Sequence, residues 1–193
     1  MNICIYGASS TLIDVSYITA GENLGKTMAA NNHNLIFGGG ANGLMGAVAR
    51  GMSSVGECEI IGIAPSFMNV DGILYEKCTQ FIYSETMRER KQLMDEHSDA
   101  FIVTPGGIGT FDEFFEILTL KQLGRHNKPI AILNTNGYYN HLKAFLQNSI
   151  DEKFMSQACN DLIYFSESPD DIINYIEKYK PQTNTLSEFK PIK

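Results

Sequence analysis

Two stretches of this sequence carry residue types that can do chemistry together. One is Pro105-Gly106-Gly107-Ile108-Gly109-Thr110, running on into Phe111-Asp112-Glu113; the other is Met87-Arg88-Glu89-Arg90-Lys91, upstream of it. A glycine turn between a strand end and a helix start leaves backbone N–H groups free, and the helix dipole adds positive potential, so the first stretch reads as an anion site. A carboxylate at Glu113 has no structural reason to stand beside an anion site. It could simply be a first-turn acid, worth about 0.3–1 kcal/mol through the helix dipole. With the glycine turn and Arg90 alongside, an acid working on a bound anion is the better reading.

Other residues in these stretches have two readings each. The pattern places Asp112, Glu113 and Glu116 in the first turn of a helix opening at Thr110, with Thr110 as its cap, a ligand contact or both. Thr119 either touches substrate or bonds its own helix backbone. Arg88, Arg90 and Lys91 on a lone helix would be a solvated face. Met87 and Met94 read as packing.

The elements that must position these groups alternate along the chain. Strands are expected at Asn2–Tyr6, Asn34–Phe37, Ile60–Ala64, Gln80–Tyr83, Ala100–Val103, Pro129–Leu133 and Leu162–Phe165. Helices are expected up to Asn31, from Gly46 through Met52, over Thr86–His97, from Thr110 to about Gly124, over Tyr138–Asp151 with Leu142, Phe145 and Leu146 inward, and over Pro169–Tyr179. The alternation predicts an α/β fold: a doubly wound, Rossmann-like, mostly parallel sheet of about six to seven strands with helices on both faces. Loops after parallel strands open on one edge, so the start of the Thr86 helix and the glycine turn should be neighbours.

Three further segments bear on a site. Gly7-Ala8-Ser9-Ser10 follows the first strand; Ser9 or Ser10 either caps the next helix, the commoner role, or touches a ligand. Gly38, Gly40 and Gly43 formally match a dinucleotide fingerprint, but they follow the second strand, and Glu57 and Glu59 precede the third rather than end it. These glycines therefore read as close backbone approach to a ligand or a neighbouring loop. Residues 65–77, with Asp71, Gly72 and Glu76, read as a flap or surface loop.

The 193 residues fit one domain, expected over 1–180, with 181–193 as a loose tail. A net charge of −7 argues against general attraction to nucleic acid or an anionic membrane. No apolar run has the length of a membrane span. The start of the chain shows no secretory signal, and Cys4, Cys58, Cys78 and Cys159 fit neither metal spacing nor a disulfide scaffold, so a reduced cytoplasm is expected. The four histidines form no metal-binding pattern, and no metal is expected.

MRERKxxM at 87–94 and PGGIGTFDE at 105–113, with GGGANGLMG upstream, resemble the LOG family, often labelled lysine decarboxylase-like. These enzymes are phosphoribohydrolases acting on cytokinin riboside 5′-monophosphates. The family pattern PGGxGTxxE is met in full, and RKxxM is met by Arg90, Lys91 and Met94. The resemblance covers nearly the whole chain. It implies hydrolysis of the N-glycosidic bond of a nucleoside 5′-monophosphate, giving free base and ribose 5-phosphate without a cofactor. It also implies Arg90 and Glu113 as the catalytic residues and a homodimer. Substrate contacts are then expected from Lys91, Gly106, Gly107, Ile108, Gly109, Thr110, Asp112, Glu116, Thr119, Gly39 and Ser9. Arg90 would keep Glu113 ionised, and Glu116 would order Arg90 or a ribose hydroxyl.

Two positions depart from the commonest pattern. Arg88 stands where the family often has His, and Phe111-Asp112 where it often has Leu-Glu. Both bear on the base accepted, so adenosine 5′-monophosphate stands beside cytokinin nucleotides as a substrate. A pyridoxal-dependent decarboxylase is not expected, because Lys91 beside Arg90 offers no Schiff-base setting. The competing reading is a non-catalytic carrier of a nucleotide or a molybdenum cofactor on the same fold. A carrier has no need of both Arg90 and Glu113.

Overall fold

The computed structural model describes residues 1–70 and 72–181; Asp71 and the expected tail beyond Pro181 lie outside the described residues. Seven strands form one parallel sheet: β1 (Asn2–Tyr6), β2 (Asn34–Phe37), β3 (Ile60–Pro65), β4 (Gln80–Ser84), β5 (Ala100–Val103), β6 (Ile130–Leu133) and β7 (Tyr164–Ser166). Six α-helices accompany them: α1 (Val15–Ala30), α2 (Gly43–Ser53), α3 (Met87–Glu96), α4 (Ile108–Gln122), α5 (Asn140–Asp151) and α6 (Pro169–Lys178).

The spatial order is β4-β3-β2-β1-β5-β6-β7. It reverses direction between β1 and β5, and at such a switch point the loops leaving the two strands part and open a crevice. The loops concerned are Gly7–Ser10 after β1 and Pro105–Gly107 after β5. β1 pairs with β5 in the register Tyr6↔Val103, so both loops leave the sheet at one level.

Alternation along the strands builds two cores. Ile3, Ile5, Leu35, Phe37 and Ile102 face one side, with Leu24 and Met28 of α1 and Ile172 and Ile176 of α6. Cys4, Tyr6, Ile36, Ile63, Phe101 and Val103 face the other, with Met94 of α3 and Phe114 and Ile117 of α4. β5 and β6 are buried throughout and β2 in all but Asn34, as continuous apolar runs require when helices cover both faces.

Helix starts differ from expectation in ways that matter for the site. α1 is capped by Asp14, whose carboxylate accepts from Ser16 N–H at 2.9 Å, so neither Ser9 nor Ser10 is its cap. α4 begins at Ile108 with Gly107 as its cap residue, so Thr110 is not the cap, and Asp112 and Glu113 fall beyond the first turn. The apolar periodicity becomes visible only from Phe111, which hid the first turn of glycine and threonine. α5 starts at Asn140, and Phe145 is exposed rather than inward. The last strand starts at Tyr164, because 157–162 winds as a 3₁₀ helix.

Candidate active site

α3 is a local necessity before it is part of a site. Thr86 caps it by accepting from Glu89 N–H at 3.1 Å, and the Glu89 carboxylate accepts from Glu85 N–H at 2.7 Å. That entry fixes the helix phase and sends Arg90 inward. Arg90 Nε donates to the Ile63 carbonyl of β3 at 3.1 Å, and Nη1 donates to Glu113 Oε1 at 2.7 Å. Both residues are buried, at 7% and 8% exposure. Two opposite charges held this way form a fixed pair rather than a surface contact.

Burial dominates the electrostatics of Glu113. It pushes the carboxyl pKa up, Arg90 pulls it back through its charge and hydrogen bond, Asp112 raises it and Lys91 lowers it; the balance stays above the ordinary value of 4.5. Arg90 acts toward the ionised form, in the expected direction, and offsets part of the desolvation.

The Pro105–Gly107 loop is held from several sides. Tyr139 Oη donates to the Thr104 carbonyl and Tyr138 Oη to the Gly106 carbonyl, each at 2.8 Å. Ala8 N–H donates to the Pro105 carbonyl at 3.1 Å. At Gly106 a Cβ would stand 2.1 Å from Thr110 Oγ1, so only glycine lets the loop fold onto its own helix. Tyr138 and Tyr139 have no motif of their own, and sequence reading took them only as part of a helix.

The two glycine-rich segments differ in what their helices offer. Leu44 and Met45 at the start of α2 both donate to the Ala8 carbonyl, at 2.9 and 3.3 Å. Gly43 has φ +61°, and a Cβ there would lie 2.4 Å from the Ala8 oxygen. The Gly38–Gly46 segment thus makes a close approach to a neighbouring loop, as expected, and its helix N-terminus is spent on that loop. α4 has no side-chain cap, and its first N–H groups lack intrahelical acceptors. Of the two helix starts, that of α4 is the one whose N–H groups could meet an anion.

The crevice is a cavity of about 570 Å³. Gly107, Gly109, Thr110 and Asp112 line it from α4, and Ser9 and Ser10 from the β1 loop, with Arg90 and Glu113 in its floor. Met45, Met68, Ile73, Leu74 and Met87 make an apolar wall. Met87 is 45% exposed, so it faces the crevice instead of packing as expected. Within the expected 65–77 loop, Ile73 and Tyr75 are tied down: Ala41 N–H donates to the Ile73 carbonyl at 2.9 Å and Tyr75 N–H to the Gly39 carbonyl at 2.8 Å.

Not every expected contact reaches this crevice. Gly39 lies behind the lining, at φ +76° with Phe81 against it. Gly106 is buried beneath the turn. Ile108 and Thr119 lie on the outer stripe of α4 with Phe111 and Phe115, because steps of three and four residues put them on one face. Lys91 pairs with Asp112 at 3.0 Å and with Glu116, so Glu116 orders Lys91 and not Arg90. Among the described residues no cluster of His, Cys, Asp and Glu could hold a metal ion.

Comparison with known proteins adds findings of three kinds. A family model described as possible lysine decarboxylase matches residues 45–176. The chain is 35% identical over 188 residues to the Arabidopsis thaliana cytokinin riboside 5′-monophosphate phosphoribohydrolase LOG1, covering 97% of this chain and 88% of that one. It is 36% identical over 180 residues to a probable enzyme of the same name, LOGL6, from Oryza sativa subsp. japonica, covering 93% and 72%. Among solved structures it is similar to the molybdenum cofactor binding protein of Rippkaea orientalis, with a TM-score of 0.67 at 22% identity over 91% of this chain and 93% of that one. It is similar also to the Moco carrier protein of Chlamydomonas reinhardtii, with a TM-score of 0.68 at 19% identity over 92% and 95%. At those identities the two structures share the fold and no more.

Proposed function

Because the chain belongs to the LOG family of phosphoribohydrolases, we propose that it hydrolyses the N-glycosidic bond of a purine or cytokinin nucleoside 5′-monophosphate to free base and ribose 5-phosphate. The observation that carries this reading is the buried Arg90–Glu113 pair in the floor of a crevice that opens with an uncapped helix N-terminus. A molybdenum cofactor carrier needs the crevice and the anion site, but it has no use for a desolvated acid fixed by arginine at the crevice floor.

The geometry divides the crevice into three zones. The N–H groups of Gly109 and Thr110 and the Ser9–Ser10 loop suit the 5′-phosphate. Glu113, three residues further along α4 and so about 4.5 Å deeper along the helix axis, suits the ribose. The wall of Met45, Met68, Ile73, Leu74 and Met87 suits a planar base.

Cleavage of the C1′–N bond sends its electron pair to the base and leaves positive charge on the ribose ring. An ionised Glu113 stabilises that charge and takes a proton from the water that attacks C1′; the departing base gains that proton in turn, so water supplies the hydroxyl of ribose 5-phosphate and the hydrogen of the free base. Arg90 holds the carboxylate in place and keeps it from closing on its own helix. No metal or cofactor enters this scheme.

The reading extends to the whole protein: residues 1–180 as one hydrolase domain, in the cytoplasm, as a homodimer. Ile108, Phe115 and Thr119, exposed along the outer stripe of α4 with half-buried Phe111 beside them, support self-association. Light scattering on the eluted protein tests the dimer; a monomer mass would remove it.

The activity is tested by incubating purified protein with adenosine 5′-monophosphate, a cytokinin riboside 5′-monophosphate and the two matching nucleosides, and separating free base by chromatography. Base release from a nucleotide but not from its nucleoside is expected. Tight nucleotide binding with no base released would favour the carrier.

A further inference from the structure

Arg90 and Lys91 are adjacent on α3 and approach Glu113 from different sides. Arg90 enters from the substrate crevice. Lys91 lines a second, partly open chamber of about 210 Å³ with Tyr6, Arg88, Asp95, Glu116 and Leu120, and Glu113 is common to the two cavities. Lys91 is absent from the crevice lining, and its ammonium is already committed to Asp112 Oδ2 at 3.0 Å and to Glu116. Those two carboxylates flank Glu113 on the same helix, one residue before it and three after.

We propose that Lys91 is a positioning residue for Glu113, clamping α4 from behind the carboxylate, and not a ligand of the substrate phosphate. This rests on the phosphoribohydrolase reading. Three consequences follow from the arrangement. The clamp ties α3 to α4, the two helices whose relative placement sets the Arg90–Glu113 distance. It places a second cation near a buried acid without blocking the crevice. It also leaves the phosphate to backbone N–H groups, which suits a chain with an overall negative charge.

The groups facing Glu113 define the expected sign. From α3 these are Arg90, Lys91, Asp95 and Arg88; from α4, Asp112 and Glu116; from β1, Tyr6 and Cys4. Burial works against the Lys91 charge, but the bonds from Glu116 and Asp112 outweigh it and hold its pKa above the ordinary value, so it stays a cation across the working range. Removing Lys91 takes away a positive neighbour and should raise the Glu113 pKa. Removing the Asp112 charge should lower it.

The test is a carbon-13 NMR titration of the Glu113 carboxyl in the wild type, Lys91→Met, Lys91→Arg and Asp112→Asn, with inorganic phosphate and ribose 5-phosphate titrated into each protein. The expected result is an upward shift for Lys91→Met, a downward shift for Asp112→Asn and a near-normal value for Lys91→Arg. Phosphate and ribose 5-phosphate should bind Lys91→Met within about twofold of wild type, since a lost ligand of a charged group would weaken them about tenfold or more. Tenfold weaker phosphate binding with an unmoved Glu113 titration would overturn the proposal and return Lys91 to the phosphate. Should Lys91→Met not fold, Lys91→Gln takes its place in both titrations, and an unmoved Glu113 titration there contradicts the clamp. The titration reads Glu113 without turnover, so a wild type that releases no base sinks the hydrolase reading separately.

Discussion

Arg90 Nη1 lies 2.7 Å from Glu113 Oε1, and the guanidinium is braced on its other edge by the Ile63 carbonyl at 3.1 Å. One side chain thus links the third strand, the third helix and the fourth helix at the one buried acid in the crevice. The bracing by Ile63 sets where Arg90 can reach, and so where Glu113 is held.

Arg90→Met should destabilise the fold by about 3–5 kcal/mol, because it leaves a buried carboxylate without its cation. The loss should depend on pH. Without Arg90 the folded-state pKa of Glu113 rises further, the native state takes up a proton more readily than the unfolded chain, and stability falls as pH rises through that pKa. Urea denaturation at pH 5 and pH 8 measures this. A loss equal at the two values would show that charge burial is not its source.

The pH profile of kcat/KM should have an acid limb above 4.5, since burial raises the Glu113 pKa and the protonated acid cannot accept a proton from water. Activity then rises with pH through that limb. A limb at or below the ordinary glutamate value would count against Glu113 as the base.

Gly38→Ala should cost activity before stability. A Cβ at Gly38 would stand 2.2 Å from Arg90 Nη2, so it pushes the guanidinium out of its hold on Ile63 and Glu113. Base release should fall steeply, while the stability loss stays below that of Arg90→Met, because the cation remains beside the acid. Unchanged turnover would mean that Arg90 has room to spare.

Gly43→Ala should behave in the opposite way, with stability lost first. The added Cβ meets the backbone oxygen of Ala8 at 2.4 Å, and the residue holds φ +61°. A cost of about 1–3 kcal/mol is expected from the strained backbone alone. A variant as stable as wild type would show that the Gly7–Ser10 loop moves freely, and it would weaken the case for a fixed crevice.

The sheet and most of its helices were legible because buried parallel strands are short apolar runs and the helices between them carry core residues at regular spacing. The central pair was legible too, because its two motifs follow successive parallel strands whose loops open on one edge of the sheet, although β3, β2 and β1 lie between β4 and β5. What was not legible lay in helix phase. Starting α4 two residues early turns Ile108 and Thr119 outward, and the step from Arg90 to Lys91 carries the second cation to the rear chamber. Tyr138 and Tyr139 escaped notice because their work is done by hydroxyls bonded to loop carbonyls, a role with no spacing rule. Gly39 was misplaced because a glycine's reason shows only in what a Cβ would strike, here Phe81.

The most direct test is the Glu113→Gln variant. Glutamine keeps the size of the side chain and an oxygen for Arg90 to bond, but it cannot take a proton from water. With adenosine 5′-monophosphate or a cytokinin riboside 5′-monophosphate, the wild type should release base and ribose 5-phosphate in equal amounts. Folded Glu113→Gln should bind the nucleotide and turn over slower by a factor on the order of 10²–10⁴. A folded Glu113→Gln that releases base at the wild-type rate would contradict the account.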